Sequence, residues 1–276
     1  MKNLTVILLG TFLLIFIGSC RKNKSTDLNP DVNVANDVIL SVSSYTTVFN
    51  LLLKARLDTS LARQGHAYID GAYTTYDTLR REYDFDFLMI FSPDSVQRLG
   101  RIAAVVSGDI LQKNSYAKVY FQNYYEDYGK VGGTDSIVNQ GVNNSGQMVF
   151  LNTVPDGFIE KVVGGGTISV KITGSYKTLS SSLVPGNSGI LFLMGGNISG
   201  LSSKGYAFSA SIRDSLQDAF SCPWIKGGTI DLQIPDAQVT SGYIDFVTSD
   251  GCSDVIWYYF DTSSFKVWKN KFYLMN

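Results

Sequence analysis

The sequence predicts a mainly β protein: antiparallel β-sheets, sandwich-like and divisible into two halves, preceded by one N-terminal α-helix. Two observations predict this class. After Gly65, short segments rich in β-branched and aromatic residues recur about every 8–14 residues with turn signals between them, as in antiparallel sheets. Before Gly65, apolar residues recur at spacings of three and four, as on one face of a helix.

The first 20 residues combine a positive charge, a short apolar stretch and a cysteine. Lys2 precedes Leu4–Ile17, about 14 residues that are too few to cross a bilayer comfortably and that match the apolar part of a signal peptide. Ile17-Gly18-Ser19-Cys20 resembles a bacterial lipobox, where signal peptidase cuts before the cysteine. We therefore expect residues 1–19 to be a lipoprotein signal peptide and Cys20 to be the acylated (palmitate-bearing) first mature residue. The alternative is an uncleaved N-terminal membrane helix, against which the short apolar stretch and the polar residues after it argue.

Residues 20–30 are polar, lack periodicity and end in proline, so we expect a solvated tether. Arg21, rather than an aspartate, follows the cysteine. In the sorting rule of Gram-negative lipoproteins this favours the outer membrane. The expected location is therefore the outer membrane, on its periplasmic face or at the cell surface, and the membrane is the expected partner through the lipid on Cys20.

Residues 31–60 are expected to form the N-terminal helix, packed on the β body. Its apolar residues form a single stripe: Val34, Val38, Val42, Tyr45, Phe49 and Leu52. Asp31 or Asn33 is a candidate cap at its start, and 58–60 is the expected end.

The rest of the chain is expected to form two β-rich halves, residues 61–160 and 161–276, that meet near residues 155–165. The candidate strands are Tyr83–Phe87, Ile102–Val106, Ala117–Phe121, Gln147–Val154, Thr167–Thr173, Ile190–Met194, Tyr206–Ile212, Thr229–Ile234, Gly242–Val247 and Val255–Phe260. Gly164–Gly166 precedes a strand rather than a helix, so it lacks the context of a phosphate-binding loop.

The chain has three cysteines, one of which is assigned to the lipid. Cys222 and Cys252 remain as an even pair in an oxidising compartment, where they could close a loop of about 30 residues and add roughly 3–4 kcal/mol of stability. The alternative is two buried thiols, because the sequence does not show the Cα separation that a disulfide needs.

Aromatic residues are dense in two stretches, 116–128 and 257–268. Tyr and Trp on an exposed sheet face can stack on sugar rings, and alternation along a strand exposes about half of them. The candidate glycan platform is Tyr124, Tyr125, Trp257, Tyr259 and Trp268. The alternative use of these rings is core packing and sheet stability.

Charge and residue content argue against several classes of function. The formal charge is −1, with 23 basic and 24 acidic residues, so nucleic acid is not an expected partner. His66 is the only histidine, and a surface or capping role near the helix end is the commoner use. Asp84 and Asp86 share one side of a strand, where a solvated strand face is the commoner arrangement. Residues 250–254 could offer carboxylate and backbone oxygens to calcium but lack the twelve-residue spacing of an EF-hand loop, and a plain turn is the commoner use. We predict no catalytic residues, no metal site and no cofactor.

Four segments follow the helix in a recognisable order: Tyr83–Phe87, Arg98–Ile102, Cys222–Ile230 and Ile244–Asp254. They resemble a set of Bacteroidetes lipoproteins in which a helix is followed by a Y-x-I-x-I-D-F strand, an R-x-G-x-I strand, a C-x-x-I-x-x-G strand and an acidic hairpin with a cysteine. The resemblance spans most of the mature chain and implies a helix packed on a β-rich body. No active site is known for that family, so the resemblance implies no catalytic residue.

The role expected from these features is non-catalytic: structural, adhesive or ligand-binding, at the bacterial envelope. One alternative is a glycan-binding component of a polysaccharide-uptake system. Another is a fimbrial-type subunit that assembles by adding a strand to a sheet edge. Beyond the membrane, the expected partners are glycans or envelope proteins.

Overall fold

The computed structural model describes residues 30–91, 96–127, 129–162, 164–179, 183–184, 189–237, 240–246, 252, 255–262 and 266–273. The predicted signal peptide, the lipid anchor Cys20 and the tether up to residue 29 lie outside the described residues.

The predicted N-terminal helix is confirmed as α1, Pro30–Leu57. Proline suits a first helical position because its missing N–H would have no partner there, and Asp31 and Asn33 therefore lie inside the helix rather than at its cap. Asp58 interrupts the helix by capping a second, short one, α2 (Thr59–Gln64), where its side chain accepts a hydrogen bond from the Leu61 N–H. Gly65 ends α2 with a left-handed backbone conformation, which glycine adopts without strain.

Burial of α1 extends beyond the single stripe that the sequence predicts, although residues 33, 36, 40, 43, 47, 50 and 54 form a partly exposed row along one side. The stripe residues are buried, but so are Asp37, Ser41 and Ser44, each fully shielded from solvent. A helix buried over most of its circumference packs into the core rather than lying on the surface. Val32–Leu57 is long and apolar enough to cross a membrane, yet 72% of its most apolar window is buried inside the protein, as expected of a core helix.

Within the described residues, fifteen strands follow the helices. They are β1 (His66–Ile69), β2 (Ala72–Asp77), β3 (Glu82–Phe91), β4 (Gln97–Val106), β5 (Tyr116–Glu126), β6 (Gly129–Gly132), β7 (Thr134–Val142), β8 (Met148–Lys161), β9 (Thr167–Thr178), β10 (Leu191–Leu201), β11 (Ala207–Ala219), β12 (Gly227–Gln233), β13 (Ser241–Phe246), β14 (Val255–Thr262) and β15 (Lys266–Tyr273). The ten candidate strands overlap β3–β5 and β8–β14. The sequence pattern missed β1, β2, β6, β7 and β15.

The described strands belong to one antiparallel sheet in which nearly every strand pairs with its neighbours in the chain. The mainly β, antiparallel prediction is confirmed, but the layering is that of a single sheet packed on a helix. Residues 31–276 form one compact unit. β8 pairs with β9 along most of its length, so the two halves expected on either side of residue 160 share one sheet.

Between β5 and β8 the sheet holds two short strands, β6 and β7, in place of one long strand. β6 and β7 both pair with β5 on one side and with β8 on the other. The break falls at Gly132 and Gly133, where a Cβ on Gly132 would clash with the Phe158 ring. The Tyr45 hydroxyl of α1 donates to the Gly132 carbonyl at 2.7 Å, so the break also attaches the helix to the sheet.

Aromatic rings join α1 to the middle of the sheet. The Phe49 ring stacks on Tyr176 of β9, with centroids 3.8 Å apart. It also meets the edges of Phe150 on β8 and Phe192 on β10. Strand alternation explains this core: along β9 every second residue points to the helix side and is buried.

Candidate functional site

A cavity of about 250 Å³ lies beside the second half of α1. Its helix wall is formed by Thr47, Asn50, Leu51 and Lys54, whose spacing of three and four places them on one face of the helix. The remaining walls come from the first strands and from the connection between β11 and β12: Asp70, Phe87, Arg98, Phe220, Ser221, Cys222 and Pro223. Residues far apart in the sequence therefore converge here.

A buried cation, Arg98 of β4, lines this cavity. Only 4% of the side chain is exposed, and its Nη2 donates to Oε1 of Glu126 at 2.9 Å. The register of β4 and β5 pairs these two positions directly. Taking two charges out of water costs several kcal/mol for each ion, which their attraction offsets only partly. A buried pair of this kind adds little stability over an apolar pair, and the place of Arg98 in the cavity wall makes it a candidate for binding.

A second cation, Lys54, stands on the helix wall. Its ammonium lies 2.6 Å from a carboxylate oxygen of Asp70 and 5.4 Å from the centroid of the Phe220 ring. Asp70 reaches this place because Asp70-Gly71 forms the tight turn between β1 and β2, with positive φ at both residues. The Asp-Gly pair is a hairpin signal that could have revealed β1 and β2 from the sequence.

Asn50 connects the cavity to a buried acid. Its Nδ2 donates to Oδ1 of Asp218 at 3.1 Å, and Asp218 is only 3% exposed. Burial raises the pKa of Asp218 to about 6, against the opposing effects of the Asn50 hydrogen bond and the Lys54 charge. Among the described residues, Asn50 Oδ1 and Asp218 Oδ2 are buried without a hydrogen-bond partner.

The predicted cysteine pair is a disulfide at the rim of the cavity. Cys222 and Cys252 are bonded, with their Cα atoms 5.4 Å apart. Cys222 is buried and lines the cavity, whereas Cys252 is exposed. The bond therefore ties the β11–β12 connection to residue 252, in the segment between β13 and β14.

The structure separates the predicted aromatic platform. Tyr124 is completely buried, in contact with Phe87 and Phe121, so it cannot belong to an exposed platform. This corrects its predicted role: the side chain points to the helix side of β5. Tyr125 is half-buried on the same strand, opposite Leu99 of β4.

The C-terminal aromatic residues lie elsewhere in the sheet. Trp257 and Tyr259 are half-buried on one face of β14, the face opposite to buried Tyr258. Position 268 of β15 pairs with Phe260, whereas positions 269 and 271 pair with Tyr259 and Trp257. The backbone register therefore places position 268 on the same face of the sheet as Phe260. The side chain of Trp268 lies outside the described part of the chain.

Tyr243 joins the outward aromatic residues, and sequence reasoning missed it. Its ring stacks on Tyr259, with centroids 4.7 Å apart, and the Arg213 guanidinium lies 5.0 Å from its centroid. Arg213 also binds Asp231 at 2.9 Å. The alternation of Gly242–Phe246 was the available signal, because it places Tyr243 on the face away from buried Ile244.

The remaining candidate groups lie outside the cavity. Asp84 and Asp86 share the outer face of β3, as predicted, and Asp84 is bound by Arg101 of β4. His66 is exposed and stands beside the Tyr73 ring, with centroids 6.0 Å apart. Within the described ranges, no group of three or more His, Cys, Asp or Glu side chains could hold a metal ion.

Comparison with known proteins found no family model, curated protein or solved structure that matches the chain. A role is therefore assigned from the fold and the cavity. The structure defines an antiparallel β protein with a core helix and a small, partly charged cavity between helix and sheet.

Proposed function

We propose that this protein is a lipoprotein of the bacterial outer membrane, anchored through Cys20, with a non-catalytic role in binding a small ligand. The cavity beside α1 carries the binding part of the proposal. It combines two cations, neutral polar groups and apolar walls, a composition that favours a specific small molecule. The charged side chains Arg98 and Lys54 add specificity at little gain in stability.

Two features support export and anchoring. The Ile17–Cys20 pattern is that of a lipoprotein cleavage site. The disulfide between Cys222 and Cys252 is typical of proteins that fold outside the cytoplasm, because reducing systems keep cytoplasmic thiols free.

Mass spectrometry of the protein from bacterial membranes tests the anchor. We expect an N-terminal peptide that begins at an acylated Cys20, recovered with the outer-membrane fraction. Cys20→Ser should release the protein or leave the signal peptide uncleaved. An unmodified peptide that begins at Met1 in the wild type would contradict the anchor.

Native mass spectrometry with a complex small-molecule extract tests ligand binding without assuming a ligand class. Ser221→Phe places a large ring at the exposed rim of the cavity, and Ser209→Phe changes an exposed serine on β11 that does not line it. We expect a bound species with the wild type and with Ser209→Phe but not with Ser221→Phe. If none of the three proteins retains a small molecule, the binding role is rejected.

A second candidate function is glycan binding by the outward face of β13 and β14. The supporting observation is the meeting of Tyr243, Trp257 and Tyr259 on two adjacent strands. Trp257→Ala should abolish a glycan-array signal, while Tyr120→Ala, at an exposed tyrosine of β5, should leave it unchanged. Equal signals from the two variants would rule out this surface.

A further inference from the structure

Two buried pairs of a carboxyl and an amide share one hydrogen-bond pattern. Between β7 and β8, Asn152 Nδ2 donates to Oδ1 of Asp135 at 2.5 Å. Between α1 and β11, Asn50 Nδ2 donates to Oδ1 of Asp218 at 3.1 Å. Within the described part of the chain, Oδ2 of each aspartate and Oδ1 of each asparagine are buried without a hydrogen-bond partner. Each pair therefore makes one hydrogen bond and leaves two acceptors unsatisfied.

The unsatisfied atoms are shielded from solvent. Asp135 and Asn152 are at most 1% exposed, and Asp218 is 3% exposed. Asn50 is half-buried, but its Oδ1 atom is enclosed. Bulk water therefore does not reach these oxygens, and a buried acceptor without a partner is unfavourable. The missing donor has to come from within each pair.

A proton on each aspartate supplies that donor. A protonated carboxyl has one O–H donor and still accepts, whereas an ionised carboxyl only accepts. With its proton on Oδ2, the aspartate donates to the asparagine Oδ1 while its own Oδ1 accepts from the asparagine Nδ2. The two planar groups are then joined by two hydrogen bonds. All four unsatisfied oxygens of the two pairs gain a partner in this way.

The surroundings of Asp135 favour its uncharged form. Burial raises the pKa of Asp135 to about 7, against the opposing effects of its hydrogen bonds. The titratable groups near it are the phenols of Tyr45 on α1 and Tyr176 on β9, and burial raises the pKa of each phenol further above its usual value. Both are therefore neutral at physiological pH. Its cross-strand neighbour on β5, Val119, is apolar.

The surroundings of Asp218 are mixed in charge. Burial raises the pKa of Asp218 to about 6, while Lys54 of α1 lowers it and Asp70 of the β1–β2 turn raises it. Lys54 and Asp70 are bound to each other, which weakens the effect of either on Asp218. Tyr176 of β9 also acts on it and is uncharged, and its cross-strand neighbour on β10, Phe192, is apolar. Asp218 therefore loses its proton at a lower pH than Asp135.

We infer that Asp135 and Asp218 each hold a proton that is donated to the paired asparagine, and that the Asn50–Asp218 pair is a proton-controlled joint between α1 and the sheet. With the proton, two hydrogen bonds join helix to β11; without it, one bond remains beside a buried charge. Asn50 also lines the cavity, so acidic conditions hold that part of the cavity wall in place and neutral conditions loosen it. The joint does not depend on what the cavity binds.

The direction of the pH effect follows from where the protons are held more tightly. The folded chain binds both protons more tightly than the unfolded chain does, because burial raises the pKa of each carboxyl above the ordinary value of 3.8. Their contribution to stability is therefore complete below about pH 4. It is lost as pH rises through about 6 at Asp218 and through about 7 at Asp135.

Infrared spectra of the full chain, labelled with ¹³C in the aspartate carboxyl groups, test the two protons. A protonated carboxyl has a C=O stretch distinct from that of a carboxylate. We expect two aspartates whose protonated bands vanish with midpoints at about pH 6 and about pH 7. Asp218→Asn should remove the first transition and Asp135→Asn the second. Asp236→Asn, at an exposed aspartate, is the control and should keep both.

Hydrogen exchange of the amides in the second half of α1 tests the joint. Two proteins are compared, Asp135→Asn and Asp135→Asn combined with Asp218→Asn, so that of these two carboxyls only Asp218 titrates. From about pH 5 to about pH 8, the protection factor should fall at least about tenfold in the first protein. It should stay constant in the second, because the new amide donates to Asn50 Oδ1 and accepts from its Nδ2 at any pH.

The two measurements have separate outcomes. If every aspartate of the wild type loses its protonated band only near about pH 4, both buried carboxyls are ionised in the folded protein and the inference is overturned, whether or not the variants fold. If the two higher transitions appear but protection falls equally in both compared proteins, the joint is overturned. Circular dichroism confirms the fold of each variant before either measurement.

Discussion

The Lys161 ammonium, at the end of β8, lies 2.9 Å from Oδ1 of Asp37, which is completely buried in α1. The second oxygen of the same carboxylate accepts a hydrogen bond from the Ser203 N–H at 2.6 Å, in the turn between β10 and β11. One helix carboxylate therefore joins two distant parts of the sheet. These contacts fix the rotation of α1 about its axis and its position along that axis, which apolar packing alone would specify less well.

Removing the Asp37 carboxylate should destabilise the fold strongly. In Asp37→Leu, the Lys161 charge and the Ser203 N–H lose their partner, and breaking a buried pair from one side costs about 3–5 kcal/mol. Chemical denaturation measures the loss. Asp236→Leu, at an exposed aspartate of the β12–β13 turn, is the matched control and should change stability little. Equal unfolding midpoints for the two variants would show that the Asp37 contacts do not stabilise the fold.

Loss of the disulfide should also lower stability. Cys222→Ser combined with Cys252→Ser removes a cross-link over a sequence separation of 30 residues, and we expect a loss of about 3–4 kcal/mol. Thermal unfolding with and without dithiothreitol measures it. The reductant should lower the midpoint of the wild type and leave that of the double variant unchanged. If the reductant lowered the midpoint equally in both proteins, a stabilising Cys222–Cys252 disulfide would be contradicted.

The buried carboxyl of Asp135 should make stability depend on pH. Asp135 on β7 is fully buried, and burial raises its pKa from 3.8 to about 7 although Asn152 donates a hydrogen bond to it at 2.5 Å. Because the folded state holds this proton more tightly than the unfolded chain, the free energy of unfolding should fall as pH rises from about 4 to about 7 and stay level above that.

Asp135→Asn isolates this effect. The amide remains neutral, so the variant should exceed the wild type in stability at pH 8 by up to about 4 kcal/mol, the equivalent of roughly three pKa units. The advantage should disappear near pH 4, where both side chains are uncharged. Urea denaturation at several pH values provides the comparison. If the difference in the free energy of unfolding between the two proteins stayed constant from pH 4 to pH 8, a raised pKa of Asp135 would be contradicted.

Truncating Phe49 should test the contact between helix and sheet. Its ring is completely buried among Phe150, Tyr176 and Phe192, so Phe49→Ala should cost about 3–5 kcal/mol by lost burial and the cavity left behind. Leu79→Ala removes a large apolar side chain that is 95% exposed and should be nearly neutral. Similar denaturation curves for the two variants would place Phe49 outside the core.

Prediction from the sequence succeeded where a pattern is local. The apolar spacing of Val34–Leu52 predicted α1, and alternation predicted strands such as β3 and β9, because side-chain periodicity follows directly from backbone geometry. It failed for β6, a four-residue strand with glycine at both ends, which has almost no side chains to alternate. It also failed to reject Tyr124, because alternation says that neighbouring residues face opposite sides but not which side is buried.

The sequence by itself determined the class of fold, the helix that comes first, the cysteines available for pairing and the export pattern at Cys20. The tertiary structure alone decided that one sheet packs on the helix, that Cys222 meets Cys252, and that Arg98, Lys54 and Asn50 share a cavity. The reason is physical: periodicity and composition act within one segment, whereas a cavity or a buried charge pair depends on strand register and helix rotation, which are set by contacts between segments far apart in the chain.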